Sequence, residues 1–172
     1  MIFLSIGSNL TSKFGNRFDN ISKTIDLLNQ EKIKVLKVSN FFETPSYPNK
    51  KLPKFINIVA EVNFNSDPKK LIKKISKIEK LMGRVKSIKN SPRVCDIDII
   101  DFNKNIINTK KLTLPHPSSH KRNFVLFPLK EVYSKWIHPL SNQKIDVLIK
   151  KLSIAARNEI TRLKERVTLS KC

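Results

Sequence analysis

The sequence predicts an α+β domain of the ferredoxin-like kind: a βαββαβ core with an antiparallel sheet flanked by helices, followed by further C-terminal helices. Three observations carry this. Apolar runs with a two-residue period alternate with runs of three- and four-residue period in the order strand, helix, strand, strand, helix, strand. Turn and cap residues fall between them. The length of 172 residues suits a single domain able to bury roughly 70 % of its unfolded surface.

Ile2 to Ile6 is a short apolar run that stops at Gly7-Ser8-Asn9, so it reads as a strand entering a turn. From Arg17 to Gln30, Ile21, Ile25 and Leu28 recur at helical spacing and form one buried stripe. Lys32 to Thr44 is rich in β-branched and aromatic residues and meets Pro45, which favours an extended approach. It is predicted as a single strand. Phe55 to Phe64 alternates, with Ile56, Ile58, Ala60, Val62 and Phe64 on one face and Phe55, Asn57, Val59, Glu61 and Asn63 on the other. Ser66-Asp67-Pro68 then supplies a cap and a first-turn proline, and Leu71, Ile75, Ile78 and Met82 make a helical stripe closed by Gly83. Residues 95–102 form the fourth strand. A loop from Leu114 to Lys121, a helix from about Phe124 and a basic amphipathic stretch from about Lys144 to Arg166 complete the chain. The expected organisation is one domain over 1–152 and a basic helical tail over 153–172.

The net charge of +20 comes from 34 basic against 14 acidic residues. The lysines are spread along the whole chain among many Ile and Asn, so they imply solubility and weak adhesion to polyanions rather than a specific nucleic-acid partner. The two cysteines, Cys95 and Cys172, have neither metal spacing nor a disulfide framework, which suits a reducing cytoplasm. The opening MIFLSIGSNL is too short in apolar residues for a membrane span and lacks a basic leader.

The sharpest chemical feature is Cys95-Asp96-Ile97-Asp98-Ile99-Ile100. Residues two apart on a strand share a face, about 7 Å from each other. Asp96 and Asp98 together can clamp magnesium, which takes one or two carboxylates plus waters and substrate phosphates. A bare Asp-x-Asp is more often an ordinary solvent-facing pair; here it interrupts an apolar strand in a chain poor in acids. With only three glycines there is no phosphate-cradling loop. Phosphates would be met by side chains: Arg84, Lys86 and Arg93 before the aspartate strand, and Lys111, His116 and Arg122 after it. The arginine forks suit bidentate phosphate contacts best. Phe55 and Asn57, on one face, pair an aromatic plate with an amide, which fits a flat heterocycle. The polar, proline-punctuated segments 46–53 and 84–92 read as lids beside this site.

In order along the chain, Ile6-Gly7-Ser8-Asn9-Leu10, Thr44-Pro45, Phe55-Ile56-Asn57, Glu79 through Gly83-Arg84, Pro92-Arg93-Val94-Cys95-Asp96-Ile97-Asp98 and Leu112-Thr113-Leu114-Pro115-His116-Pro117 with Arg122-Asn123-Phe124 resemble the 6-hydroxymethyl-7,8-dihydropterin pyrophosphokinase family. The resemblance runs from Ile2 to Leu152. It implies a folate-biosynthesis enzyme that moves the β,γ-pyrophosphoryl group of ATP to its pterin, releases AMP and acts as a monomer. It further implies that Asp96 and Asp98 bind two Mg2+ ions, and that Arg84 and Arg93 stabilise phosphate in a catalytic loop. Thr44, Pro45, Phe55, Asn57 and Phe124 match its pterin pocket. Glu79, Thr113, His116 and Arg122 match positions around the nucleotide, with Ile99 against the adenine. Lys86 and Lys111 stand where arginine is frequent, Phe55 where tyrosine is, Ser91 where glycine is, and Pro117 where an aromatic is. The alternative from another class is an RNA-binding module with the same strand and helix order. Against it, the strand Phe55 to Phe64 lacks the glycine and paired aromatics such modules display.

Overall fold

The computed structural model describes residues 1–84 and 91–168. Its main sheet has the order β5-β1-β4-β3-β8, with β2 also pairing β4. The strands are β1 (Ile2–Ser8), β2 (Lys34–Val38), β3 (Asn40–Thr44), β4 (Phe55–Asn63), β5 (Asp96–Phe102) and β8 (Thr161–Arg166), and a small hairpin joins β6 (Ile107–Asn108) to β7 (Thr113–Leu114). Every pairing is antiparallel.

Helix α1 (Arg17–Gln30) begins where Asn16 and Asp19 close a capping box, and α2 (Pro68–Leu81) begins at the Asp67 cap with proline in its first turn. Gly83, at φ +95°, lets the chain leave α2. The predicted stripes of these helices bury Ile21, Ile25, Leu28, Leu71, Ile75 and Ile78 against Leu4, Ile6, Ile56, Ile58, Ile97 and Ile99 of the sheet. On the opposite face Phe3, Val59 and Ile100 pack against Val125, Leu126 and Leu129 of α3 (Asn123–Val132) and Leu148 of α4 (Ile145–Lys151). The sheet is thus covered on both sides, and on the second face of β4 Asn57 and Val59 are buried while Asn63 stays exposed. This cover also removes the open aromatic platform that an RNA-binding module of this strand order presents.

Two expectations are corrected. The single strand over 32–44 is two strands, because Ser39 interrupts the ladder: its hydroxyl donates to Asn40 O and accepts from Val59 N. The tail over 153–172 is not helical throughout. After the short α5 (Ile154–Asn158) the chain extends as β8 and pairs with β3. Leu163 and Val167, which pack on the first core, lie four residues apart, a spacing that shares a face on a helix and on a strand alike. The unpaired edge of β3 decides between them.

Candidate active site

The site is built on a row that crosses three strands. Asn57 of β4 faces Gly7 of β1, and Gly7 faces Asp96 of β5, so the three residues share one face. A Cβ at Gly7 would come within 2.9 Å of Asn57 Oδ1 and 3.6 Å of Phe55, so the bare glycine forms the floor between amide and carboxylate. One step along, Asp98 faces Ser5. The two carboxylates therefore point to the α3 side, while Ile97 and Ile99 point into the core under α2.

Asp96 carries two guanidinium groups: Arg84 Nη1 at 3.0 Å from Oδ1 and Arg93 Nη2 at 2.8 Å from Oδ2. Burial raises its pKa, assisted by the neighbouring Asp98 charge, with Arg93 and Arg84 opposing. Asp98 Oδ2 accepts from Arg122 Nη1 at 3.1 Å and lies 3.6 Å from His116 Nε2. His116 Nδ1 accepts from Ser118 N at 3.2 Å, which leaves its proton on Nε2 toward Asp98. Burial lowers the His116 pKa, against the pull of Asp98 and with the Arg122 charge adding to it. Its backbone N–H bonds Ile100 O at 3.1 Å and ties the turn to β5.

Glu79 pairs with Arg84 and accepts from Ile97 N at 2.9 Å, capping the outer edge of β5. Burial raises its pKa. Along that edge lies an open cavity of about 280 Å³ whose lining includes Ile97, Asp98, Ile99, Lys111, Thr113 and His116. Asp98 and His116 thus border both the cavity and the carboxylate row. On the other flank, Asn57 Nδ2 donates to Thr44 Oγ1 at 3.0 Å, joining two predicted pocket residues, with Pro45 directly following Thr44. Phe55 and Phe124 each have a guanidinium over the ring, Arg93 at 5.6 Å and Arg122 at 5.4 Å. Lys86 and most of the loop 84–92 lie outside the described residues. The segment 46–53 is held by Asn9 and Ser46.

Asp96 and Asp98 offer carboxylate oxygens alone, the donors magnesium takes. Among the described residues no group of three or more His, Cys, Asp or Glu is arranged to hold an ion. A magnesium ion here would complete its shell with phosphate oxygens and water.

The family model for 7,8-dihydro-6-hydroxymethylpterin-pyrophosphokinase matches residues 3–134. The chain belongs to this family. The 2-amino-4-hydroxy-6-hydroxymethyldihydropteridine pyrophosphokinase of Aquifex aeolicus is 35 % identical over 139 residues, 81 % of this chain and 84 % of that protein. The folic acid synthesis protein fol1 of Pneumocystis carinii is 36 % identical over 151 residues, 88 % of this chain but 20 % of that protein. A crystal structure of Plasmodium falciparum HPPK-DHPS aligns with a TM-score of 0.69 at 17 % identity, covering 97 % of this chain and 48 % of that one. The chain thus spans most of the bacterial pyrophosphokinase, a fifth of the fungal protein and about half of the Plasmodium one. The last likeness carries the α+β fold, and the ferredoxin-like expectation stands. Pyrophosphokinases of this family are transferases of folate synthesis that use ATP as co-substrate.

One residue of this site escaped the reading of the sequence. Asn9, read there as part of a turn and of a family motif but given no role, is 2 % exposed and bonded to both flanking loops. An asparagine after glycine and serine looks the same whether it makes a turn or braces a site.

Proposed function

We propose that this chain transfers the pyrophosphoryl group of ATP to the hydroxymethyl oxygen of 6-hydroxymethyl-7,8-dihydropterin and releases AMP. The observation that carries the reading is the row Asn57–Gly7–Asp96, which sets a heterocycle-reading amide and a metal-type carboxylate on one continuous floor. Asp96 and Asp98 would hold two magnesium ions, whose charge offsets that of the phosphates. The chain's own part is positioning. Asn57 and Thr44 read the pterin edge, Phe55 and Phe124 take its faces, and Pro45 stiffens the strand exit beside them. Lys111, Thr113 and Ile99 line the β5 edge where the nucleotide lies, with Glu79 fixing that edge through Ile97 N. Arg84, Arg93, Arg122 and His116, gathered on the two carboxylates, stand within a side-chain swing of the phosphates between the pockets. Lys86 is read as a further phosphate contact.

Pyrophosphoryl transfer asks for in-line placement and charge neutralisation rather than a nucleophilic side chain, and this site is rich in cationic donors. Cys95 illustrates the point. It is buried and its thiol pKa is pushed up to about 12 by desolvation, so it is a packing residue. No helix among the described residues is long and apolar enough to cross a membrane. A cytoplasmic monomer is the setting we infer, from the unframed cysteines and from the family. The test is to incubate the purified chain with ATP, magnesium and the hydroxymethyldihydropterin. AMP and pterin diphosphate should form in equal amounts; ADP, or no product, would refute the reading.

A further inference from the structure

Asn9 lies just past the end of β1, between the two flanks of the site, and both ends of its side-chain amide and its backbone N–H are engaged. Its Oδ1 accepts from Arg93 N at 2.7 Å, and its own N–H donates to Arg93 O at 3.1 Å. Its Nδ2 donates to Ser46 Oγ at 3.2 Å and to Pro53 O at 3.1 Å. Ser46 Oγ in turn donates to Pro53 O at 2.5 Å, so the two ends of the segment 46–53 are closed on each other and on Asn9. That segment joins Thr44-Pro45 to Phe55, the two strand ends of the pterin side. Arg93, held on the opposite edge of the same amide, is the residue whose guanidinium reaches both Asp96 and the Phe55 ring.

We propose that Asn9 is a positioning residue that sets the pterin-side segment 46–53 and the phosphate-side Arg93 in one frame; this rests on the function proposed above. A buried amide can serve two backbones in this way because its oxygen accepts while its nitrogen donates, in opposite directions from one rigid plane. Leucine or threonine at this place would fill space but satisfy one flank at most, freeing the Ser46–Pro53 pair from the site or leaving Arg93 N without its side-chain acceptor. Because both flanks reference one side chain 2 % exposed to solvent, a displacement of either is passed to the other.

The amide lets the two arms be cut separately. Asn9→Asp keeps the acceptor for Arg93 N and removes the donor for Ser46 and Pro53; Asn9→Ala removes both. Hydrogen exchange of the free chain should rise over 46–54 in Asn9→Asp, and over both 46–54 and 91–94 in Asn9→Ala. In turnover, Asn9→Ala should lower kcat by about a hundredfold, the scale of a misplaced reacting group, and raise the pterin KM. Asn9→Asp should recover kcat to within about tenfold of wild type while the pterin KM stays raised. ATP affinity, read by direct titration, should change by less than about threefold in both. The proposal is overturned if the two variants lose kcat and KM equally, as a merely structural residue would, or if exchange in Asn9→Asp rises on the Arg93 side as much as in Asn9→Ala. Should the wild type itself make no AMP, the proposed function falls, and the exchange pattern still decides whether Asn9 joins the two flanks.

Discussion

The guanidinium of Arg93 lies 5.6 Å from the ring centre of Phe55 while one of its nitrogens sits 2.8 Å from Asp96. One side chain therefore reaches both the aromatic proposed to stack the pterin and the carboxylate proposed to hold metal. Arg93→Ala should lower kcat by more than about tenfold and leave the ATP dissociation constant nearly unchanged, since the fork meets phosphate charge fully only in the transition state. Steady-state kinetics beside ATP titration decide this. An unchanged kcat with weaker ATP binding would make Arg93 a static anchor instead.

Asp96→Asn and Asp98→Asn should each reduce turnover by more than about a hundredfold, because the remaining carboxylate alone holds too weakly the magnesium whose charge offsets that of the phosphates. The fold should survive. Asp96 already resists ionisation through burial and the Asp98 charge, so removing either charge relieves repulsion, at the cost of freeing arginines that can turn to solvent. Circular dichroism melts should stay within about 5 °C of wild type. Turnover within tenfold of wild type in either variant contradicts the metal role.

Phe124→Ala should weaken pterin binding by roughly 1–3 kcal/mol, the worth of stacking a heterocycle on an aromatic ring. ATP affinity should hold, because Phe124 sits in the first turn of α3, away from the lining of the β5-edge cavity. Fluorescence titration of each ligand separates the two, and equal losses would move the pterin elsewhere.

Glu31, at the end of α1, binds Lys74 at 2.8 Å and Lys77 of α2, and hydrogen bonds from these lysines lower its pKa from 4.5 to about 2. A depressed carboxylate stabilises the fold above its unfolded pKa and loses that contribution as pH falls through the folded one. Glu31→Gln should thus cost about 0.5–1 kcal/mol at pH 7, the scale of a partly exposed ion pair. The difference from wild type should shrink between pH 4.5 and about 2 in thermal melts. A gap that is constant over this range would mean that packing, not charge, is lost.

Removal of residues 159–172 should lower the melting midpoint by more than about 5 °C. It strips β8 from β3, with the bonds from Asn40 Nδ2 to Leu163 O and Lys164 O at 3.0 Å, the Arg162–Glu131 pair and the buried Val167. A truncated chain that melts with the full one would show that β8 contributes nothing to the fold.

Local chemistry made the first two helices legible: the Asp67-Pro68 start and the stripes at three- and four-residue spacing hold in the structure. Period two on β5 likewise placed Asp96 and Asp98 on one face from the sequence alone, because alternation is a property of the strand itself. Tertiary structure decided everything that depends on a partner distant along the chain. Leu163 and Val167 fit a helix or a strand until the free edge of β3 chose. The second face of β4 became core only because α3 covers it, and Ser39 broke a continuous apolar run because Val59 stood opposite. Asn9 is the clearest case: no spacing in the sequence joins it to Pro53, 44 residues on, or to Arg93, 84 residues on. A hydrogen bond across such separations is set by where the folded backbone brings donor and acceptor together, and local pattern carries no record of that.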